Sequence, residues 1–177
     1  MKSKQICTLL VGLAAVAVYG GIALATPPSG VTNPPWSPVT GNFTSGIDAT
    51  AKTDTSSGNA TDFWQIRISA KGATDVHVLE NVFAPGATFG WHSHPGPSLV
   101  IVKSGTLTVY HAPDCTPEDF GPGSPNGSTF VDQGHDLHMV RNNSTTVTAD
   151  VYVVSFVPAG FGRRIDEPNP NPSICPN

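Results

Sequence analysis

The sequence predicts an all-β domain, on three observations. Short apolar stretches alternate with polar residues at a period of two, and Gly and Pro (18 and 17 of 177 residues) recur between them. Nowhere does an apolar period of 3.6 persist for three turns. Such punctuation suits a barrel or sandwich of short strands.

Residues 1–25 read as a signal peptide of bacterial type. Lys2 and Lys4 form a basic n-region, Ile6 to Leu24 is apolar, and Ala23-Leu24-Ala25 offers small residues for cleavage before Thr26. Cleavage would make the protein secreted, or periplasmic in the cell envelope. Retention would make the same segment an N-terminal membrane anchor, since about 20 apolar residues span a bilayer. The 152 residues that follow suit one domain. Residues 26–61 are rich in Pro, Gly, Ser, Thr and Asn and read as an extended arm, lying over the domain, reaching a partner subunit, or serving as a linker. Residues 62–165 carry the strands. Phe63 to Ala70 alternates Trp64, Ile66 and Ile68 against Phe63, Gln65 and Arg67; Val76 to Phe83 follows and is expected to stop at Ala84-Pro85-Gly86. Ser98 to Lys103, Thr106 to His111, Asp136 to Arg141 and Thr146 to Val157 complete the set, and residues 166–177 form a Pro-Asn-rich tail.

Without Lys2 and Lys4 the chain holds seven basic against thirteen acidic side chains, a net charge of −6. That balance argues against nucleic acid and anionic membrane surfaces as partners, both of which reward clustered Lys and Arg. With Cys7 removed, Cys115 and Cys175 remain, an even count in an oxidising compartment, and a disulfide between them is expected.

The chemistry concentrates in residues 86–105. His92 and His94 stand at i, i+2 just ahead of Pro95-Gly96-Pro97. On a strand they face the same way, about 6.5–7 Å apart, close enough to share one ion. The Pro-Gly-Pro reversal predicts that Ser98 to Lys103 returns beside the first strand as a hairpin-like unit.

This segment resembles the first motif of the cupin superfamily, G-x5-H-x-H-x3,4-E-x6-G, at Gly86, His92, His94 and Gly105, with Ser98 where the family carries a glutamate ligand. Residues 127–142 resemble the second, G-x5-P-x-G-x2-H-x3-N, at Gly127, His138 and Asn142; Gln133 replaces the proline and His135 the second glycine. The resemblance covers residues 62–158. It implies a single cupin double-stranded β-helix, a small jelly-roll barrel, with the Pro/Gly-rich arm outside it.

It also implies one divalent transition metal held by His92, His94 and His138. Three neutral imidazoles suit Fe, Mn, Ni, Cu or Zn, and affinity does not choose among them. The set is similar to three-histidine cupins, in which ferrous iron binds a chelating anionic substrate together with O₂. A dioxygenase-like enzyme acting on a small chelating organic molecule is the leading expectation. The alternatives are a non-catalytic small-ligand or metal-binding barrel, and a structural barrel with a decayed site. Ser98 could hold bound water beside the ion, and Glu80 could supply the missing carboxylate from a neighbouring strand or accept a proton. Trp91 and Phe89 flank the first ligand and either wall a pocket or pack the core. Asn142 is expected to form a turn, His111 stands near the barrel mouth, and His77 and His135 are polar strand or turn residues. A second copy of the chain, engaged through the arm, is the macromolecular partner considered.

Overall fold

The computed structural model describes residues 24–54 and 63–177, so nearly all of the expected signal segment, with Cys7, lies outside the described residues. Twelve strands and no helix occur among those described: β1 (Ser29–Thr32), β2 (Val39–Phe43), β3 (Ile47–Asp54), β4 (Phe63–Ala70), β5 (Thr74–Ser93), β6 (Ser98–Ser104), β7 (Leu107–His111), β8 (Pro117–Phe120), β9 (Thr129–Asp132), β10 (His138–Arg141), β11 (Ala149–Pro158) and β12 (Ile165–Asp166). Ten belong to one sheet whose main path runs β8-β7-β10-β5-β11-β6-β9. Its two edges curl toward each other. Phe120 on β8 and Phe130 on β9 bring their rings to 4.7 Å, and the Gly121 N–H donates to the Gly127 carbonyl at 2.9 Å, so the sheet is a nearly closed barrel. The all-β jelly-roll expectation holds.

Period-two patterning explains which residues fill it. Along β6, Ser98, Val100 and Val102 point inward while Leu99 and Ile101 face out; along β11, Ala149, Val151, Ser155 and Val157 are the buried set. Val100, Val102, Ala149 and Val151 join Phe83, Leu107, Val109 and Phe120 in the main core. Each such fully buried aliphatic or aromatic side chain contributes roughly 1.5–3 kcal/mol.

Three local expectations are corrected. First, β5 does not stop at Ala84-Pro85-Gly86 but continues as one bent strand of 20 residues. The bend lies where the chain is exposed, so Pro85 leaves no interior donor missing. The two halves of β5 serve different neighbours, residues 74–83 pairing with β11 and residues 88–92 with β10. Second, β5 and β6 do not form a hairpin. β11 lies between them, with Ser155 opposite both His77 and Ser98, so Pro95-Gly96-Pro97 carries the chain across the barrel. Third, β4 stays outside the barrel sheet. It pairs only with β3, leaving Trp64, Ile66 and Ile68 exposed.

The arm is built onto the same chain. β1 and β2 both pair with β5, and Asn33 Nδ2 donates to the Glu80 carbonyl and to Asn81 Oδ1 at 2.8 and 2.7 Å. The tail is held from the other side. Cys115 and Cys175 are joined, as expected from the cysteine count, with Cα atoms 5.3 Å apart. The bond packs with Trp91 and Met139 in a second apolar cluster, where the Trp91 indole N–H donates to the Pro176 carbonyl at 2.9 Å.

Asn142 ties the bend of β5 to the loop after β10. Fully buried, it directs Nδ2 at the carbonyls of Phe83, Ala84 and Val147 (3.1, 3.1 and 2.8 Å) and accepts from the Ser144 N–H at 3.1 Å. Alanine here would strand the buried Phe83 carbonyl and cut the ties to Ala84, Val147 and Ser144. Asn142→Ala should therefore cost about 2–3 kcal/mol, read as a lower urea midpoint at unchanged slope. A midpoint equal to wild type would contradict this role.

Candidate metal centre

Two strands from distant parts of the chain set the site. β10 runs antiparallel to the second half of β5 with His138 directly opposite His92, and their ring centroids lie 4.3 Å apart. His94, just past the end of β5 and on the same face as His92, has its ring centroid 4.8 Å from that of His92 and 5.3 Å from that of His138. One ligand atom from each of the three lies within 4.8 Å of the others, so the residues separated by 44 positions in sequence meet inside the barrel.

Each ring already has one nitrogen committed. Nδ1 of His92 meets the Gly90 carbonyl at 2.9 Å, Nδ1 of His138 the Asp136 carbonyl at 3.1 Å, and Nδ1 of His94 the Arg163 carbonyl at 2.5 Å. A carbonyl only accepts, so each Nδ1 carries the hydrogen and each neutral ring keeps a bare lone pair at Nε2. Burial keeps the rings neutral. Desolvation, with repulsion from His138, holds His92 well below the usual histidine range. Desolvation likewise lowers His94 and His138; in both, the nearby Asp132 carboxylate offsets part of the effect. Three neutral imidazoles with Nδ1–H tied to backbone oxygen are the donor set that transition metals take, and the backbone bonds fix both tautomer and ring orientation.

The cavity beside them has a volume of about 170 Å³. Phe89 forms part of its wall, packing edge-on against His92 with centroids 5.7 Å apart. Trp91 does not line it. The difference arises from a bulge: between the pairs Met139↔Trp91 and Arg141↔Thr88, β5 advances three residues while β10 advances two. Gly90 sits in that bulge at φ +67°, where a Cβ would also strike the Thr26 carbonyl oxygen, and the offset turns Phe89 inward while Trp91 points to the disulfide cluster.

The remaining sequence candidates fall on both sides of the wall. Ser98 is buried, lines the cavity and shares a 2.8 Å hydrogen bond with Ser155. Glu80 faces elsewhere: its carboxylate takes Lys103 Nζ at 2.9 Å and the Trp36 indole N–H at 3.1 Å, and Lys103 also meets Asp150 at 2.8 Å. His111 is bonded to Asp136 at 2.6 Å, 6.0 Å centroid to centroid from His138. His77 pairs with Thr40 at 2.8 Å. His135 adopts φ +57° in the turn before β10, which accounts for the glycine that the motif prefers there; its N–H donates to the His94 carbonyl at 2.7 Å.

Three cavity residues were not singled out from the sequence as site residues. Asp132, at the end of β9, places Oδ2 3.2 Å from His94 Nε2. Arg163 and Arg164 arrive through β12, where Ile165 and Asp166 pair with Ser93 and His92 and draw the preceding residues over the cavity. The Arg164 guanidinium holds the Phe89 carbonyl and Asp166, lies 5.6 Å from the Phe89 ring, and keeps Nη1 buried without a hydrogen-bond partner. The adjacent Arg163-Arg164 pair was visible as the only basic doublet, but its position follows from the β12 pairing.

No protein-family model and no curated protein matches the chain. Solved structures do. A cupin-like protein from Thermotoga maritima is 18% identical over 58% of this chain and 81% of that one, with a TM-score of 0.43. A cupin superfamily protein from Desulfitobacterium hafniense is 15% identical over 46% and 67%, at 0.39. A recombinant oxalate oxidase in complex with glycolate is 25% identical over 67% of this chain and 54% of that one, at 0.41, so the match spans about half of the oxidase. The chain itself is a nearly closed all-β barrel of the double-stranded β-helix type, and the histidines of the two segments that resemble cupin motifs meet inside it.

Proposed function

We propose that the protein is an exported metal-dependent enzyme of the oxygenase type, acting on a small, anionic, chelating organic molecule. The observation that carries this reading is the orientation of the three imidazoles, each with Nδ1–H bound to a backbone carbonyl and a bare Nε2 left over. His92, His94 and His138 would hold the ion; when bound, a ferrous ion supplies a site for O₂ and for polarising an oxygen ligand.

The charge balance supports an anionic ligand. A divalent ion beside Arg163 and Arg164, set against Asp132 and the Asp166 that pairs with Arg164, leaves a positive excess between apolar walls, where Coulomb interactions exceed those in bulk water. The volume supports a small one, since a dry cavity of about 150 Å³ accommodates benzene. Arg164 would clamp the carboxylate end of the ligand, Phe89 would order the ring or chain beside it, and β12 would restrict water at that side. The disulfide supports an oxidising compartment, in agreement with the expected signal segment.

The test uses the iron-loaded protein with small α-hydroxy acids, keto acids, dicarboxylic acids and neutral diketones, following heat of binding and O₂ uptake together. Acids should bind tighter than neutral diketones of equal size, one class of acid should drive O₂ uptake, and Arg164→Gln should weaken acids about tenfold while iron content stays unchanged. Neutral ligands binding as well as acids would contradict the anionic reading. Tight acid binding with no O₂ uptake for any of them would favour the non-catalytic binding barrel.

A further inference from the structure

Resting on the metal-centre reading above, we infer that Asp132 is a fourth protein ligand, supplying from β9 the carboxylate that Ser98 does not supply from β6. The first observation is register. β6 and β9 run antiparallel with Ser98 directly opposite Asp132, so the two side chains leave adjacent strands at the same level and on the same face. Both line the cavity and both are buried, Ser98 at 1% and Asp132 at 7% exposure. A carboxylate lost at position 98 can thus be replaced one strand away.

The second observation is an unsatisfied contact. Asp132 Oδ1 accepts the Gly134 N–H at 2.9 Å, which fixes the carboxylate in the turn after β9. Oδ2 is buried, accepts no hydrogen bond and sits 3.2 Å from His94 Nε2. The His94 Nδ1 hydrogen is committed to the Arg163 carbonyl, so in the neutral ring Nε2 is itself an acceptor. Two lone pairs pointing at one another in a buried place repel unless a cation lies between or beside them. Two donors bound at about 2.1 Å to one ion, at a right angle to each other, lie about 3.0 Å apart. The observed 3.2 Å is close to that separation.

The set would then be three imidazoles and one carboxylate, with the acid drawn from the opposite side of the barrel to His92 and His138. It lowers the charge of the bound ion by one while leaving Ser98, bonded to Ser155, as a small neutral wall beside the remaining coordination positions. A glutamate at 98 would fill that space. An aspartate at 132 keeps it open for ligand.

Cobalt(II) alone is the probe, titrated into the metal-free full chain, with affinity read by chelator competition and coordination by the visible spectrum. Asp132→Asn preserves the Oδ1 acceptor and the shape. It should weaken cobalt at least about tenfold and change the spectrum, and Ser98→Glu added to it should recover most of the lost affinity. An Asp132→Asn protein with wild-type affinity and spectrum would overturn the assignment, as would a double variant no tighter than Asp132→Asn. Should Asp132→Asn fail to fold, Ser98→Glu alone decides: a gain under about threefold is expected with Asp132 already in place, and a gain of tenfold or more would overturn it. Wild type that takes up no cobalt defeats the metal-centre reading itself, and is told apart because it needs no variant.

Discussion

Replacing His92 and His94 together by alanine should abolish stoichiometric metal binding while leaving the barrel folded. The two rings supply two of the three bare Nε2 donors, and the one remaining imidazole, even with the Asp132 carboxylate, binds a divalent ion only weakly. Neither ring is central to the apolar packing. His92 contacts the edge of the main core through Phe89, and His94 lies at the rim, bonded to the Arg163 carbonyl. Removing two buried polar rings also relieves their desolvation, so the stability loss comes from cavity formation and from the freed carbonyls of Gly90 and Arg163. Metal analysis and circular dichroism on the same sample check both halves. A double variant that retains a full equivalent of metal would show that the ion is held elsewhere.

Breaking the Cys115–Cys175 bond should have the largest effect on stability. The bridge closes a loop of 60 residues, for which the chain-entropy account gives about 4 kcal/mol. Its loss would also loosen the tail that covers Trp91, whose indole N–H bonds Pro176, and the Asn169 side chain that holds the carbonyls of Cys175 and Pro176 at 3.2 and 3.1 Å. A Cys115→Ser, Cys175→Ser protein should melt about 10 °C or more below wild type, with the tail more exposed to protease. An unchanged melting temperature would mean that the tail docks through Trp91 and Asn169 without help from the bond. Two thiols in the unreduced, unfolded wild type would show that the bond is not made.

What could be read from residues alone follows from how local each feature is. The strand of His92 and His94, the strand from Ser98 and the meeting of three histidines rest on short periods and on two motifs of fixed spacing, and these transfer directly to the barrel. Pairing does not. Pro95-Gly96-Pro97 has the composition of a hairpin turn, yet β11, more than 50 residues on, takes the place between β5 and β6 because its buried alternation satisfies both neighbours at once. Trp91 and Phe89 share a strand parity, and only the bulge at Gly90 separates their faces. Asp132 was hidden for the same reason: six residues before His138, it sits at an unspecified position of the second motif, and its meaning comes from the Ser98 pairing across two strands. A missing glutamate in the first motif together with an aspartate at a strand end in the second was the available signal. Glu80, the nearer carboxylate in sequence, is instead held by Lys103 and Trp36.

Metal content decides whether this barrel is built around an ion. Untagged protein, exported in its native way and then reconstituted in turn with iron, manganese, nickel, copper and zinc, should hold close to one equivalent of at least one of them by elemental analysis. Less than a tenth of an equivalent with every metal would contradict the account, and would leave three buried imidazoles and an unpaired carboxylate oxygen without the cation that their arrangement requires.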